Sequence, residues 1–438
     1  MQQSEWMRGE QGRQGALRQA NRRRVLDLLR VQGPLTQADL ARLAGLSRST
    51  VSNIVAELQG AGMVRSAAHP GPAERRKPGR PGSLLSLEPS VGAVVGVDID
   101  HERLTVLVAD AAHTVLAEDR RPLERDHDAR AVMRLASQLV DQTVLKAGVR
   151  RERLAGAGVG LAGPIDLATG RIHPSSIAPS WQFVDPRKEF EDLLKLPVYI
   201  DNDANLGALA EMMWGAGRGV SEAAYVKVDT GVGVGLVVQG RIHRGAGGTA
   251  GEIGHSTIDE DGPVCRCGNR GCLEGFVGSR ALVESLRTRY RADLTIEDVL
   301  RLARDGDVGC RRVLADAGRL LGVQVANLCN LLNPRRVIIA GRVASAGEIL
   351  LEPLRTSFAR RALPHAVETV EVVPAELGDR ATALGAAALA MHESGAITSD
   401  GWEGFDSVAG PQPEGQARAS PSWGPWALRG GEVTPQDA

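Results

Sequence analysis

The densest group of reactive side chains is Cys265-Arg-Cys267-Gly-Asn-Arg-Gly-Cys272, three thiols within eight residues. Thiolates are soft donors that suit zinc, which prefers four tetrahedral ligands. His255, ten residues before Cys265, can supply the fourth. A Cys3His shell leaves no open position, so the expected Zn2+ is structural rather than catalytic. Three free buried cysteines are the alternative, and their crowding near a histidine speaks against it. The five cysteines in all are odd in number, which disfavours a disulfide scaffold and points to a reducing, cytoplasmic setting. Cys310 and Cys329 stand among apolar helical neighbours and read as packed core thiols.

A different chemistry is written near the N-terminus. Thr36 fits a helix N-cap, with Asp39 where a capping box usually carries Glu or Gln. The helix Gln37–Ala44 should end at Gly45, a residue suited to a left-handed cap, and Leu46 should tuck inward. Ser47 then caps a second helix from Arg48 to about Gln59. Helix, glycine turn and helix at this spacing form a helix-turn-helix. Val51, Ile54, Val55 and Leu58 fall on the core side of the second helix. Arg48, Ser49, Thr50, Ser52 and Asn53 fall on the side that would face double-stranded DNA. Arg pairs with guanine and Asn with adenine, while hydroxyls suit phosphates. Ser83–Leu87 can pair with the strand after Gly60 as a wing, whose tip Arg75-Arg-Lys-Pro-Gly-Arg80-Pro-Gly82 could lay Arg80 in a minor groove. Alone, that basic run would read as a solvated loop.

The elements that must position these groups follow from composition and periodicity. Residues 1–90 hold 14 Lys and Arg against 7 Asp and Glu, although the whole chain carries a net charge of only −1. A basic block on a near-neutral chain is the footprint of a phosphate-facing module joined to something else. Residues 1–20 are rich in Gln, Gly and Arg and are expected to be flexible, without the apolar stretch of a signal peptide. A winged helix-turn-helix domain is expected over 21–87, with a Pro/Gly/Arg-rich loop at 67–82. An alternating α/β domain is expected over 91–392. Its strands are expected near 91–100, 104–110, 155–161, 198–200, 223–228, 233–238 and 337–340. Its helices are expected near 129–147 and 204–213, across 280–332 and at 383–391. The Gly-, Pro- and Ser-rich tail 393–438 is expected to be disordered. No apolar run reaches the roughly 18 residues of a membrane span, so no membrane partner is expected.

Gly251-Glu-Ile-Gly-His255 followed by Cys265-x-Cys-Gly-x-x-Gly-Cys-x-Glu274 resembles the signature of the ROK family (repressors, open reading frames and kinases). Its members include bacterial glucokinases and the N-acetylglucosamine and xylose repressors. The resemblance covers about residues 91–392 and implies an actin-like two-lobed sugar-kinase fold, preceded here by the winged helix-turn-helix. By the resemblance, Asp201-Asn202-Asp203-Ala204-Asn205 maps the family's sugar-binding pair onto Asn202 and Asp203. In the kinases that Asp is the general base. The other implied sugar contacts are Glu252, His255 and Glu274, with His255 serving both sugar and zinc.

The chain departs from the kinases at the first phosphate loop. The family's Asp-x-Gly-Gly-Thr is replaced by Asp98-Ile-Asp100-His101-Glu102. Side chains then stand where backbone should approach phosphate, and the extra carboxylates should repel anionic oxygens. Asp229-Thr-Gly-Val-Gly-Val-Gly235 resembles the second loop but can equally be a tight strand turn. Ala340-Gly-Arg-Val343 stands in place of a glycine triplet on the adenosine side. Trp181 either stacks on a sugar or covers core. The resulting expectation is a sugar-controlled transcriptional repressor, not an enzyme, with Asp203 a sugar contact and not a working base. It should bind operator DNA as a homodimer or homotetramer, because one recognition helix reads only a few base pairs. A ROK-type sugar kinase with a regulatory DNA-binding arm is the alternative.

Overall fold

The computed structural model describes residues 21–22, 24–26, 28–29, 34–60, 64–67, 83–87, 93–110, 113–124, 127–166, 169–172, 179–181 and 183–394. The expectations for residues 1–20, for Arg80 and the wing tip, and for the tail beyond 394 lie outside them.

The N-terminal unit follows its local signals. Helix α1 (Gln37–Ala44) starts where the Thr36 side chain accepts from the Asp39 N–H at 3.2 Å. The Thr36 hydroxyl in turn donates to Asp39 Oδ2 at 2.7 Å, so side chain and backbone at the two positions hold each other. Gly45 closes α1 with φ +65°, in the left-handed region. Ser47 accepts from the Thr50 N–H at 3.1 Å and begins helix α2 (Arg48–Gly60). Val51, Ile54, Val55 and Leu58 pack with Val25, Leu26, Leu29, Leu40, Val64 and Leu85 in one small core, with Leu46 half-buried against it. Strand β2 (Val64–Ala67) pairs antiparallel with β3 (Leu84–Leu87), Val64 opposite Leu87. The two-residue strand β1 (Leu35–Thr36), not foreseen in the sequence, adds to the far edge of β3.

The larger unit is built on two sheets of like topology. In the first, the order is β6-β5-β4-β7-β8: β4 (Ala93–Ile99), β5 (Arg103–Ala109) and β6 (Val115–Pro122) form an antiparallel meander, and β7 (Leu154–Leu161) and β8 (Val198–Asn202) continue in parallel. In the second, β11-β10-β9-β12-β13, the pattern repeats with β9 (Ala223–Val228), β10 (Val232–Val238), β11 (Arg241–His243), β12 (Arg336–Ala340) and β13 (Glu371–Pro374). Strands β6, β11 and β13 escaped the sequence reading. All three lie on sheet edges, where short or charged segments lack the apolar alternation that marks an inner strand.

Five layers result. Helix α3 (Ala129–Lys146) covers the outer face of the first sheet. Helices α4 (Asp203–Trp214) and α7 (Ala381–Glu393) lie between the sheets, α4 against β9 and β10 and α7 against β4 and β7. Helices α5 (Val308–Leu332) and α6 (Glu348–Arg361) back the second sheet. Strand β4 is buried along all seven residues because helices cover both its faces. Helix α7 is alanine-rich because it must approach closely: a Cβ on Gly158 would fall 1.8 Å from the Ala386 carbonyl oxygen. The helix runs through Glu393, so the expected tail boundary moves by a residue. No helix among the described residues is long and apolar enough to cross a membrane.

Gly158→Val should force sheet and helix apart and destabilise the fold by about 3 kcal/mol, read as a lower midpoint in urea. An unchanged midpoint would mean that α7 has room to move.

Candidate functional site

One cleft opens where the strand ends of both sheets meet the N-terminus of α4. Its lining includes Asp100 and His101 after β4, Gly163 after β7, Asn202 and Asp203 at the β8–α4 junction, Lys227 and Asp229 of the second sheet, and Glu252, His255, Arg266 and Glu274. The cleft therefore gathers all five side chains expected to touch a sugar. It lies beyond the carboxyl ends of parallel strands, the usual ligand position in α/β sheets.

The junction is held firmly. Asn202 Oδ1 accepts from the Ala204 and Asn205 N–H groups at 2.9 and 3.2 Å and caps α4, while Nδ2 donates to the Gly163 carbonyl at 2.9 Å. Below it, Asp201 is buried and paired with Arg244 at 2.6 and 3.0 Å. Asp203 is the first residue of α4; its Oδ2 lies 2.7 Å from Lys227 Nζ. Glu274 accepts from the Val232 N–H at 3.1 Å and from Arg266 Nε at 2.9 Å. Burial, aided by the nearby Asp203 and Glu274 charges, pushes the Glu252 carboxyl up to about 7. Near neutral pH it can thus either donate or accept a hydrogen bond.

The predicted metal ligands also meet. One donor atom each from His255, Cys265, Cys267 and Cys272 lie within 4.8 Å of one another. A zinc–sulfur bond of ~2.3 Å in a tetrahedron sets sulfurs about 3.8 Å apart. Cys267 Sγ and Cys272 Sγ stand 3.7 Å apart, and Cys265 Sγ is 3.7 Å from His255 Nδ1, so the donor set fits that ion. The bridge Thr257↔Cys272 and the hydrogen bond from the Cys265 N–H to the Asn269 carbonyl, 2.7 Å, fold the loop back on itself. Burial pushes the Cys272 thiol up to about 12, so a metal must displace its proton. Burial also holds the His255 imidazole below its ordinary value, which favours the neutral ligand form. His255 uses its two nitrogens differently: Nδ1 faces the thiols, and Nε2 turns to the cleft 3.8 Å from Glu252 Oε2. Cys310 and Cys329 are buried in the core of the second lobe, as expected.

On the phosphate side the expectation needs correction. The acids of the altered first loop, Asp100 and Glu102, do not stand as bare negative charge. Arg342, after β12, lies 2.5 Å from Asp229 Oδ1, 2.9 Å from Glu102 Oε2 and 3.1 Å from Thr230 Oγ1. Asp100 and Asp98 lie in the field of Lys227, and burial pushes the Asp98 carboxyl up to about 7. The neighbouring acids hold the Lys227 ammonium well above its usual value, against the opposing effect of burial. Asp229–Gly231 forms the hairpin turn between β9 and β10. A Cβ on Gly231 would come 2.8 Å from Glu274 Oε2, so that glycine is needed by the cleft's own acids.

Sequence reasoning missed Lys227, Arg266, His101 and Arg342. Lys227 did leave a signal: it is the one charged residue in the apolar strand Ala223-Ala-Tyr-Val-Lys-Val228. Period-two alternation puts it on the same face as Ala223 and Tyr225, the face covered by α4. Trp181 is 3 % exposed within the first lobe's core and does not line the cleft.

At the other end of the chain, Arg48, Ser49, Ser52 and Asn53 are exposed on α2 and Thr50 is half-buried. Ser47 Oγ is hydrogen-bonded to the Ser49 and Thr50 hydroxyls at 2.9 and 2.8 Å, which orders the start of that helix. The first turn of α2 thus presents a set of exposed polar side chains.

Comparison with known proteins places these features in one lineage. The ROK family matches residues 94–393, and the MarR family matches residues 19–73. The chain is 31 % identical over 397 residues to a xylose repressor of Caldicellulosiruptor bescii, covering 87 % of this chain and 98 % of that one. A crystal structure described as a ROK family transcriptional regulator, homolog of the Escherichia coli MLC protein, superposes with a TM-score of 0.69 at 26 % identity, over 87 % of this chain and 98 % of that one. A ROK family glucokinase of Streptomyces griseus, solved in complex with glucose and AMPPNP, superposes with a TM-score of 0.59 at 28 % identity, over 68 % of this chain and 99 % of the kinase. The repressor-type matches span both units, whereas the kinase match spans about two thirds of the chain. With its cleft, its cysteine loop and an actin-like α/β fold behind a MarR-type winged helix, the chain belongs to the ROK family.

Proposed function

We propose that this protein is a DNA-binding transcriptional repressor of carbohydrate-metabolism genes, controlled by a sugar bound in the cleft. One observation carries the reading: a winged helix with an exposed polar recognition face shares a chain with a ROK cleft. The near full-length match to a xylose repressor supports it.

In this reading residues 21–87 bind operator DNA through Arg48, Ser49, Thr50, Ser52, Asn53 and Arg80, and residues 91–392 sense the sugar. Asn202, Asp203, Glu252, His255 and Glu274 surround the sugar. Each hydroxyl both donates and accepts, so carboxylates and amides in fixed places discriminate its stereochemistry. Zn2+ held by His255, Cys265, Cys267 and Cys272 supplies a cross-link that fixes the loop carrying Arg266 and Glu274. His255 Nδ1 serves that cross-link while Nε2 remains for the sugar. The protein acts in the cytoplasm as a homodimer or homotetramer, since two reading heads double the site. To switch it, the sugar must bind two conformations unequally.

The second reading, a ROK sugar kinase with a DNA-binding arm, draws on Asp203 and on the glucokinase match. Against it stand the side chains in place of the first loop's glycines, and the Asp203 oxygen engaged by Lys227. A hexose and pentose panel with coupled ATP consumption should show no turnover. A rate near or above about 1 per second would establish the kinase instead.

Arg48→Ala should weaken binding to the upstream DNA of its own locus by about tenfold or more in gel shifts and relax one base position. Retained affinity and selectivity would move the reading face elsewhere. Cys267→Ser should purify with less zinc and melt at lower temperature. A parent that keeps its full stability after chelator has stripped its metal would remove zinc from the fold. In a thermal-shift screen the effector sugar should raise the melting temperature by mass action.

A further inference from the structure

We propose that Lys227 and Arg342 are resident cations that fill the metal and phosphate half of the cleft, so that it accepts an uncharged polyol but neither a divalent cation nor a nucleoside triphosphate. The polyol part rests on the reading above; the exclusion rests on geometry.

Asp98, Asp100 and Asp229 are each at most 4 % exposed, and Asp203 stands beside them at the foot of the cleft. Four carboxyls so placed need positive charge, because an uncompensated buried carboxylate is strongly disfavoured. In phosphoryl transfer that charge comes from a divalent ion bridging acids and phosphate oxygens. Here it is covalently attached. Lys227 reaches Asp203 at 2.7 Å and lies in the field of Asp98, Asp100 and Asp229. Asp98 Oδ1 and Asp100 Oδ2 remain buried without a hydrogen-bond partner. A single ammonium therefore leaves the cluster under-coordinated, as expected where a side chain replaces an ion that takes about six oxygens.

Arg342 closes the other end. Its guanidinium spans Asp229, Thr230 and Glu102, across the turn that would have to cradle phosphate. Gly341, at φ +90°, fixes this course: a Cβ there would sit 2.3 Å from the Val228 carbonyl oxygen. Lys227, on β9, and Arg342, just after β12, reach from the second sheet to Asp203, the first residue after β8, and to Glu102, in the turn after β4. Together they keep the lobes in contact without nucleotide. Among the charged residues of the lining acids prevail: Asp100, Asp203, Asp229, Glu252 and Glu274 against Lys227 and Arg266. A sugar phosphate would meet net repulsion there, and a neutral polyol would not.

The experiment uses the zinc-loaded full chain and its Lys227→Met and Arg342→Ala variants, with Mn2+ followed by electron paramagnetic resonance and Mg2+·AMPPNP by calorimetry. The parent should bind neither probe. Lys227→Met should take up about one Mn2+ per chain and melt higher in its presence, and Arg342→Ala should bind Mg2+·AMPPNP with an affinity at least about tenfold above the limit at which the parent shows none. If Lys227→Met is recovered unfolded, Mn2+ or Mg2+ should restore its refolding, and failure to do so counts against the proposal. A parent that binds either probe, or variants that gain neither, overturns it. In parallel, neutral sugars and their phosphates are compared by thermal shift on the parent. A phosphate that binds better than its parent sugar overturns the charge argument. A cleft deaf to every sugar, with Mn2+ still taken up by Lys227→Met alone, removes the effector reading and leaves the cation assignment supported.

Discussion

Two sheets of like topology meet over a buried ion pair, Lys227 with Asp203, whose side chains are 11 % and 14 % exposed. The geometry of the cleft follows from it. Asp203 begins the helix that separates the sheets, and Lys227 rises from the strand beneath. A buried pair of this kind contributes little net stability when measured against apolar residues, yet breaking one side leaves an uncompensated charge. Its effect is therefore on specificity of arrangement: the second sheet is tied to the one place on α4 where a carboxylate also faces the helix dipole.

The cysteine loop supports the opposite wall. It carries the thiols gathered as metal donors and, between two of them, one side chain that lines the cleft. Arg266, between two of the thiols, crosses to Glu274; His255 divides its ring between thiols and cleft. An ion at that position would fix cleft side chains from behind, the role that outer-shell contacts play in many sites, here with the order reversed. Packing alone would leave this wall loose, since the loop residues Cys265 and Cys267 are only half-buried.

Among the described residues the winged helix has its own small core. The size of the proposed control is limited by the difference in effector affinity between two states. A cleft already bridged by Arg342 and Lys227 starts with its lobes in contact. An effector bound there changes the balance of an existing set of contacts.

Much of this was legible in the sequence, and the pattern of what was legible has a physical cause. Thr36, Gly45 and Ser47 mark helix ends through bonds within three or four residues, so the bounds of α1 and α2 follow from the sequence nearly to the residue. The cysteine spacing disclosed its donor set, because metal geometry demands residue types more than it demands a fold. The resemblance to the family assigned Asn202, Asp203, Glu252, His255 and Glu274 to one sugar site, and the cleft gathers all five. The edge strands β6, β11 and β13 were not legible, since their pairing is long-range and their composition ambiguous. Nor was the fate of the acids at 98–102. Sequence could show that both loop glycines were gone and that Asp100 and Glu102 added negative charge, and could read this only as repulsion. That Arg342, some 240 residues away in the chain, neutralises Glu102 was decided by the tertiary structure. Charge balance in a buried site depends on which groups the fold brings within a few ångströms, and no local rule of sequence encodes that distance.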